Sequence, residues 1–207
     1  MSDDHRITTT EALRALFDAP SPLVQRKVIA RLDKHCRAII AAAPFICLSS
    51  SSAAGRADIS PRGDRPGFVQ VLDERTLFIP DRPGNNRLDT MSNILEHPQV
   101  GLLFIVPGMD ETLRIYGTAE LTRDPALLAG AAVNGKTPTI GIRVTVEGAH
   151  LHCGKAFKRA RLWDPAVQID RKSLPSLGRM VLDQIGATDV PVETADARIE
   201  ESYRKLY

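Results

Sequence analysis

The sequence predicts a mainly β protein with added helices, an α+β fold around a largely antiparallel sheet or closed barrel. From residue 45 onward, short runs rich in apolar, aromatic and β-branched residues alternate with turn clusters, at 45–49, 68–72, 76–79, 100–106, 112–121 and 140–147. The gaps between them are too short for repeated βαβ crossovers, so neighbouring strands are expected to pair antiparallel. Helical periodicity gathers mainly at the two ends of the chain.

Each helix has its own signals. Thr8 and Glu11 have capping-box spacing, and Leu13, Leu16 and Phe17 share a face before a break at 18–22. Ser21 then caps a second helix with Pro22 in its first position, and Val28, Leu32, Cys36 and Ile39 carry its apolar stripe as far as Pro44. Two helices interrupt the strands, one over 87–96 and one from the Asp124 cap and Pro125 to near Gly135. A third follows Gly154. Leu177, Val181 and Ile185 mark a further helix, and Ile199, Tyr203 and Leu206 the last. No domain boundary is visible, so 1–207 reads as a single domain: a helical lead-in at 1–43, a barrel core at 44–153 and a helical portion at 154–207.

Composition removes whole classes. The chain has 207 residues, 43% apolar and 25% charged, and its 27 basic residues nearly balance 25 acidic ones. No global field therefore favours nucleic acid or an anionic membrane, and any anion site must be local. The longest apolar stretch, 38–48, is interrupted by Pro44 and is too short to span a bilayer. The start, MSDDHR, shows no secretory pattern, and Cys36, Cys47 and Cys153 lack CxxC spacing. The expectation is a cytoplasmic protein with reduced, structural cysteines and no metal.

No GxGxxG, GxSxG or HExxH signature occurs. What stands out is a pair of turn-like segments, Ser60-Pro61-Arg62-Gly63-Asp64 and Pro80-Asp81-Arg82-Pro83-Gly84-Asn85-Asn86-Arg87. The second runs into a helix whose free N–H groups and positive dipole end suit an anion, with Asn85, Asn86 and Arg87 adding donors. Arg62 would bring a guanidinium fork to the same phosphate. Equally, Asn and Gly are ordinary turn residues, and six bases against five acids over 56–87 also describe plain turns with surface ion pairs.

The most basic stretch, 152–163, holds Lys155, Lys158, Arg159 and Arg161 before the sole tryptophan, Trp163. Its helical face would meet a phosphate or a partner subunit, or simply be solvated. His150 and His152 point to one side of a strand, where a metal would still need ligands from elsewhere. The hydroxyls of 49–52 read as a flexible loop, and no nucleophile is evident.

In order, ADISPRGDRPGFVQVLD, TLFIPDRPGNNRLDTMSNILEHPQVGLLFIVPG, ETLRIYGTAELTRD and HLHCGKAFKRARLW resemble the pyridoxamine 5'-phosphate oxidase-like, FMN-binding split-barrel superfamily over about residues 7–165. Its branch of FMN-dependent enzymes without assigned substrate is the nearest in pattern. The resemblance implies a six-stranded antiparallel split β-barrel, a homodimer, and FMN in clefts between the subunits. It would set Ser60, Arg62, Gly63 and Asp64 near the flavin ring or ribityl chain. Pro80, Asp81 and Arg82 would follow the strand edge, Asn85, Asn86 and Arg87 would hold the phosphate, and Thr112 would face the flavin. Lys155, Lys158, Arg161 and Trp163 of the other subunit would close the site. The oxidase itself carries an Arg-Lys pair where Asn86 and Arg87 stand, so phosphate binding is expected to be retained but weaker. Its substrate-phosphate residues have no clear counterpart, which leaves the substrate open.

The function this implies is an oxidoreductase in which FMN passes hydride or electrons to or from a small molecule, with NAD(P)H a candidate donor. No catalytic side chain is named. The alternatives are a non-catalytic flavin carrier and a deazaflavin- or haem-binding barrel, with His150 and His152 the first suspects as haem ligands.

Overall fold

A computed structural model describes residues 5–207. Seven strands form one antiparallel sheet: β1 (Phe45–Ser51), β2 (Ala57–Gly63), β3 (Gln70–Val71), β4 (Thr76–Pro80), β5 (Gln99–Ile105), β6 (Thr112–Thr122) and β7 (Gly141–His152), in the order β2-β1-β5-β6-β7-β4-β3. This is the split-barrel class, with a ladder that does not close and one strand more than expected.

The additional strand is β2. Its Ser60 to Gly63, expected as a loop, pair with β1 in the register Leu48↔Ser60, Cys47↔Pro61, Ile46↔Arg62 and Phe45↔Gly63. Pro61 is tolerated because β2 lies at the sheet edge, where a missing N–H breaks no second ladder. The hydroxyl run also belongs to a strand: Ser49 and Ser51 lie in β1, and buried Ser50 accepts from Asn93 Nδ2 at 3.0 Å.

Alternation along the strands buries Ile46, Leu48, Leu102, Phe104, Leu113 and Ile115 in one continuous core. At Gly117 the β6–β7 register shifts, and a Cβ there would stand 1.9 Å from the Thr145 carbonyl oxygen. Only glycine allows so close an approach.

Two helices cover the core. α3 (Lys34–Ala42) is capped by Asp33, whose carboxylate accepts from the N–H groups of His35 and Cys36, and buries Cys36, Ile39 and Ile40. α4 (Asp89–Glu96) buries Met91 and Ile94 and lies on β1, β2 and β6.

The lead-in differs from expectation. α1 (Thr10–Arg14) is capped by Thr9, and the second predicted helix is two, α2 (Pro22–Arg26) and α3. Between them Ile29 pairs with Ala149 through hydrogen bonds of 3.0 and 2.8 Å, so pairing beside the sheet overrides the continuous helical stripe. The remaining helices are α5 (Pro125–Gly130), α6 (Lys155–Ala160), α7 (Leu177–Ile185) and α8 (Val192–Arg204). No helix among the described residues is long and apolar enough to cross a membrane.

Candidate functional site

Period-two geometry builds the first wall. Along β2, Asp58, Ser60 and Arg62 are half-buried on one face, while Ala57, Ile59, Pro61 and Gly63 are exposed on the other. The inner face meets the start of α4, where Thr90 Oγ1 donates to Asp58 at 3.2 Å. The loop between β4 and α4 supplies the second wall. A cleft of about 280 Å3 lies between them, lined by Ser60, Arg62, Asp81, Arg82, the turn 83–88 and the first turn of α4. The two segments singled out in the sequence therefore do meet.

Within the cleft, Nη1 of Arg62 donates to Ser60 Oγ at 2.7 Å and to the Pro61 carbonyl at 3.2 Å. Its Nε is buried with no partner. A buried charged donor without an acceptor is costly, and this one belongs to a residue of the cleft wall. The α4 N-terminus is open as well, since Leu88 at the cap position offers no side-chain acceptor to the first N–H groups. Asn86 and Leu88 both have left-handed backbone, with φ of 58° and 59°, which turns the chain abruptly into the helix. A leucine in that conformation stores strain at the cleft.

Carboxylates oppose this positive character. Burial pushes the Asp81 carboxyl above its ordinary value, against the pull of Arg62, the Arg82 N–H and the Arg82 charge. Arg87 is spent in part on Asp89, with Nε 2.7 Å from Oδ2, but this pair is exposed and easily exchanged. The Arg87 N–H donates to Asn85 Oδ1 at 3.1 Å.

Two predicted residues are committed elsewhere. Arg82 Nε lies 2.5 Å from Asp64 Oδ2, with the aspartate side chain only 2% exposed, and Arg82 Nη1 donates to the Ala131 carbonyl at 3.0 Å. Asp64 also accepts from Tyr207 and from the Arg65 N–H. This pair braces the loop from behind. Gly63 and Pro80 end β2 and β4 and fix where the walls begin.

Thr112 is not in this cleft. It is buried at the start of β6 and lines a second cavity of about 460 Å3, to which Cys47, Leu103, Arg114, His152 and Phe157 also contribute. Ile59 borders both spaces. Lys155, Lys158, Arg161 and Trp163 do not line the first cleft either. Lys158 pairs with Asp110 at 2.9 Å and Arg161 with Asp164, while Trp163 Nε1 donates to the Met109 carbonyl at 3.0 Å. Lys155 is exposed.

The sequence profile of the pyridoxamine 5'-phosphate oxidase family matches residues 32–153, from the start of the core to the end of β7. The chain belongs to that family. No curated protein matches it. Solved structures similar to it include HupZ of Group A Streptococcus (16% identity, 56% of this chain and 90% of that one, TM-score 0.47). General stress protein 26 of Bacillus anthracis is similar at 13% identity over 55% of this chain and 88% of that one, with a TM-score of 0.43. HutZ, the heme storage protein of Vibrio cholerae, shows 14% identity over 59% and 94%, with a TM-score of 0.42.

Sequence reasoning missed Asp58, Leu88 and Tyr207. Asp58, Ser60 and Arg62 at spacing two were the available signal of a single strand face; nothing local marks Leu88 or Tyr207. The sequence also holds a GxxxxGK[ST] string, Gly130 to Thr137. It is no phosphate loop, because that motif needs a strand before it and a helix after it. Here α5 ends at its first glycine, Val133 and Lys136 close a turn, and β7 follows.

Proposed function

We propose that the chain is an FMN-dependent oxidoreductase whose 280 Å3 cleft grips the cofactor phosphate. It would act as a cytoplasmic homodimer on a small-molecule substrate, with NAD(P)H as donor. The observation that carries the reading is the unpartnered, buried Nε of Arg62 in the wall of a cleft whose other wall is an uncapped helix N-terminus. A phosphate oxygen answers both deficits.

The donor set fits the group. Arg62 would bind the phosphate from β2, the first N–H groups of α4 from the helix end, and the Asn86 amide from the turn. Arg87 would join after giving up Asp89, a contact of little net worth in water. The Asp64–Arg82 pair would keep the turn from moving away. FMN, when bound, supplies hydride or electron transfer; the chain's residues bind it, orient it and exclude water. Three cysteines without disulfides accord with a reducing compartment, and a shared two-fold interface would give two equal sites.

The test is reduction of the FMN-loaded protein by NADH or NADPH without air, followed by readmission of oxygen. Bleaching and recovery of the flavin band support an enzyme. FMN bound but never reduced by either donor would leave a carrier, and FMN that fails to bind would refute the reading.

A further inference from the structure

The second cavity differs from the first in face, polarity and charge. It opens on the outer surface of the sheet, and Cys47, Leu102, Leu103, Ala156 and Phe157 make it largely apolar. Its floor is kept low at Gly101, where a Cβ would stand 2.6 Å from Ser49 Oγ. A volume of about 460 Å3 is ample for a small organic molecule.

One rim is cationic. Arg114 and His152 line the cavity. In the β6–β7 register Arg114 lies opposite His150 and Thr112 opposite His152, so the three basic side chains share one face of two adjacent strands. Lys27 reaches the same corner, with Nζ donating to the Leu151 carbonyl at 2.9 Å. Arg114, His150, His152 and Lys27 have no carboxylate partner among the described residues, although eight ion pairs occur elsewhere. Nδ1 of His150 is buried without a partner. The His150 ring is pushed towards its neutral form by burial first, then by Lys27, Arg114 and His152. Arg114 and Lys27 are thus like charges without a carboxylate partner among the described residues, and an anion bound beside them relieves their repulsion.

We infer that this cavity is a binding site for a small, flat apolar molecule bearing one carboxylate, with its apolar body against Leu103 and Phe157 and its carboxylate on Arg114. A guanidinium fork matches a carboxylate in two parallel hydrogen bonds, and a single free fork suits a single negative group. As a substrate pocket the site rests on the oxidoreductase reading; as a binding site it does not. A second copy of the chain seated on this face would instead fill the cavity with protein.

Benzoate and its neutral isostere benzamide are the probes, titrated into FMN-free protein by calorimetry, with FMN titrated separately. The site predicts saturable benzoate binding at least about tenfold tighter than benzamide. It also predicts that Arg114→Gln removes that preference, while Ala156→Trp, at the exposed mouth, weakens both probes. Far-UV melting shows that the variants fold. Equal affinity for the two probes would overturn the inference. So would absence of binding, as expected if a second copy occupies the cavity, or benzoate affinity that falls with Arg62→Gln and not with Arg114→Gln. Failure of FMN to bind would count against the cofactor alone and leave the benzoate result standing.

Discussion

The phenol of Tyr207 donates a 2.6 Å hydrogen bond to Oδ1 of Asp64, 143 residues earlier in the chain. The same carboxylate holds Arg82 through Oδ2, and the Arg82 guanidinium sits 5.6 Å from the centre of the Tyr207 ring. Lys136 Nζ donates to the Tyr207 carbonyl at 2.6 Å. One residue thus ties the end of β2, the loop after β4 and the turn before β7. Tyr207→Phe, which keeps the ring and removes the donor, is expected to cost about 1–2 kcal/mol in urea unfolding. It should also weaken FMN binding several-fold, because the braced loop forms one wall of the cleft.

The same carboxylate sets a pH dependence. Burial alone would raise the Asp64 value, but the hydrogen bonds from Tyr207, the Arg65 N–H and Arg82, together with the Arg82 charge, hold it below its ordinary 3.8. A carboxyl depressed in the folded chain adds stability above its unfolded value and loses that contribution as pH falls through the folded one. Asp64→Asn leaves Arg82 without its counter-charge and is expected to cost about 3 kcal/mol at neutral pH. That difference should shrink as pH drops below 3.8. Urea midpoints of both proteins across the acid range measure it.

Arg62 and Arg87 should contribute unequally to phosphate binding. Arg62 has a buried donor with no partner, whereas the Arg87 side chain is 70% exposed and already paired with Asp89. Arg62→Gln is expected to weaken FMN about tenfold to a hundredfold, and Arg87→Gln less. Quenching of flavin fluorescence ranks the two.

Leu88 offers a gain in stability. Its backbone is left-handed, with φ of 59°, and its side chain is largely exposed. Leu88→Gly removes the steric cost of that conformation, partly offset by the greater freedom of an unfolded glycine. Unfolding of the FMN-free variant should require about 0.5–1 kcal/mol more than wild type.

Gly117 tests the bulge between β6 and β7. Gly117→Ala places a methyl against the Thr145 carbonyl at the register shift. A loss of about 3 kcal/mol or more is expected in denaturant unfolding, because two paired backbones must separate.

Much of the fold was legible because its signals are local. Short apolar and β-branched runs between turn clusters marked β4, β5 and β6 nearly to their ends, and Pro125 after Asp124 marked the start of α5. The turn at 83–88 that leads into α4 was legible too, since Asn and Gly before a helix carry their own geometry. What failed depended on partners distant in sequence. Ser60 to Gly63 form a strand because β1 offers a ladder, not because of their own propensity. Ile29 leaves the helical stripe to pair with Ala149. Of the predicted strand at 68–72, only Gln70 and Val71 pair in a strand, although Phe68 and Val69 still enter the core. In the site, Arg82 and Asp64 read as ligand contacts in sequence, yet each satisfies the other across 18 residues. Spacing does not reveal which charges are already neutralised.

The central claim is that the cleft between β2 and the α4 N-terminus binds FMN through its phosphate. Titrating FMN against riboflavin, which lacks only that phosphate, tests it most directly, with flavin fluorescence as the readout on wild type and Arg62→Gln. The account predicts saturable FMN binding to wild type, much weaker riboflavin binding, and loss of most of the difference in Arg62→Gln. Equal affinity of wild type for the two flavins, or no binding of either, would contradict it.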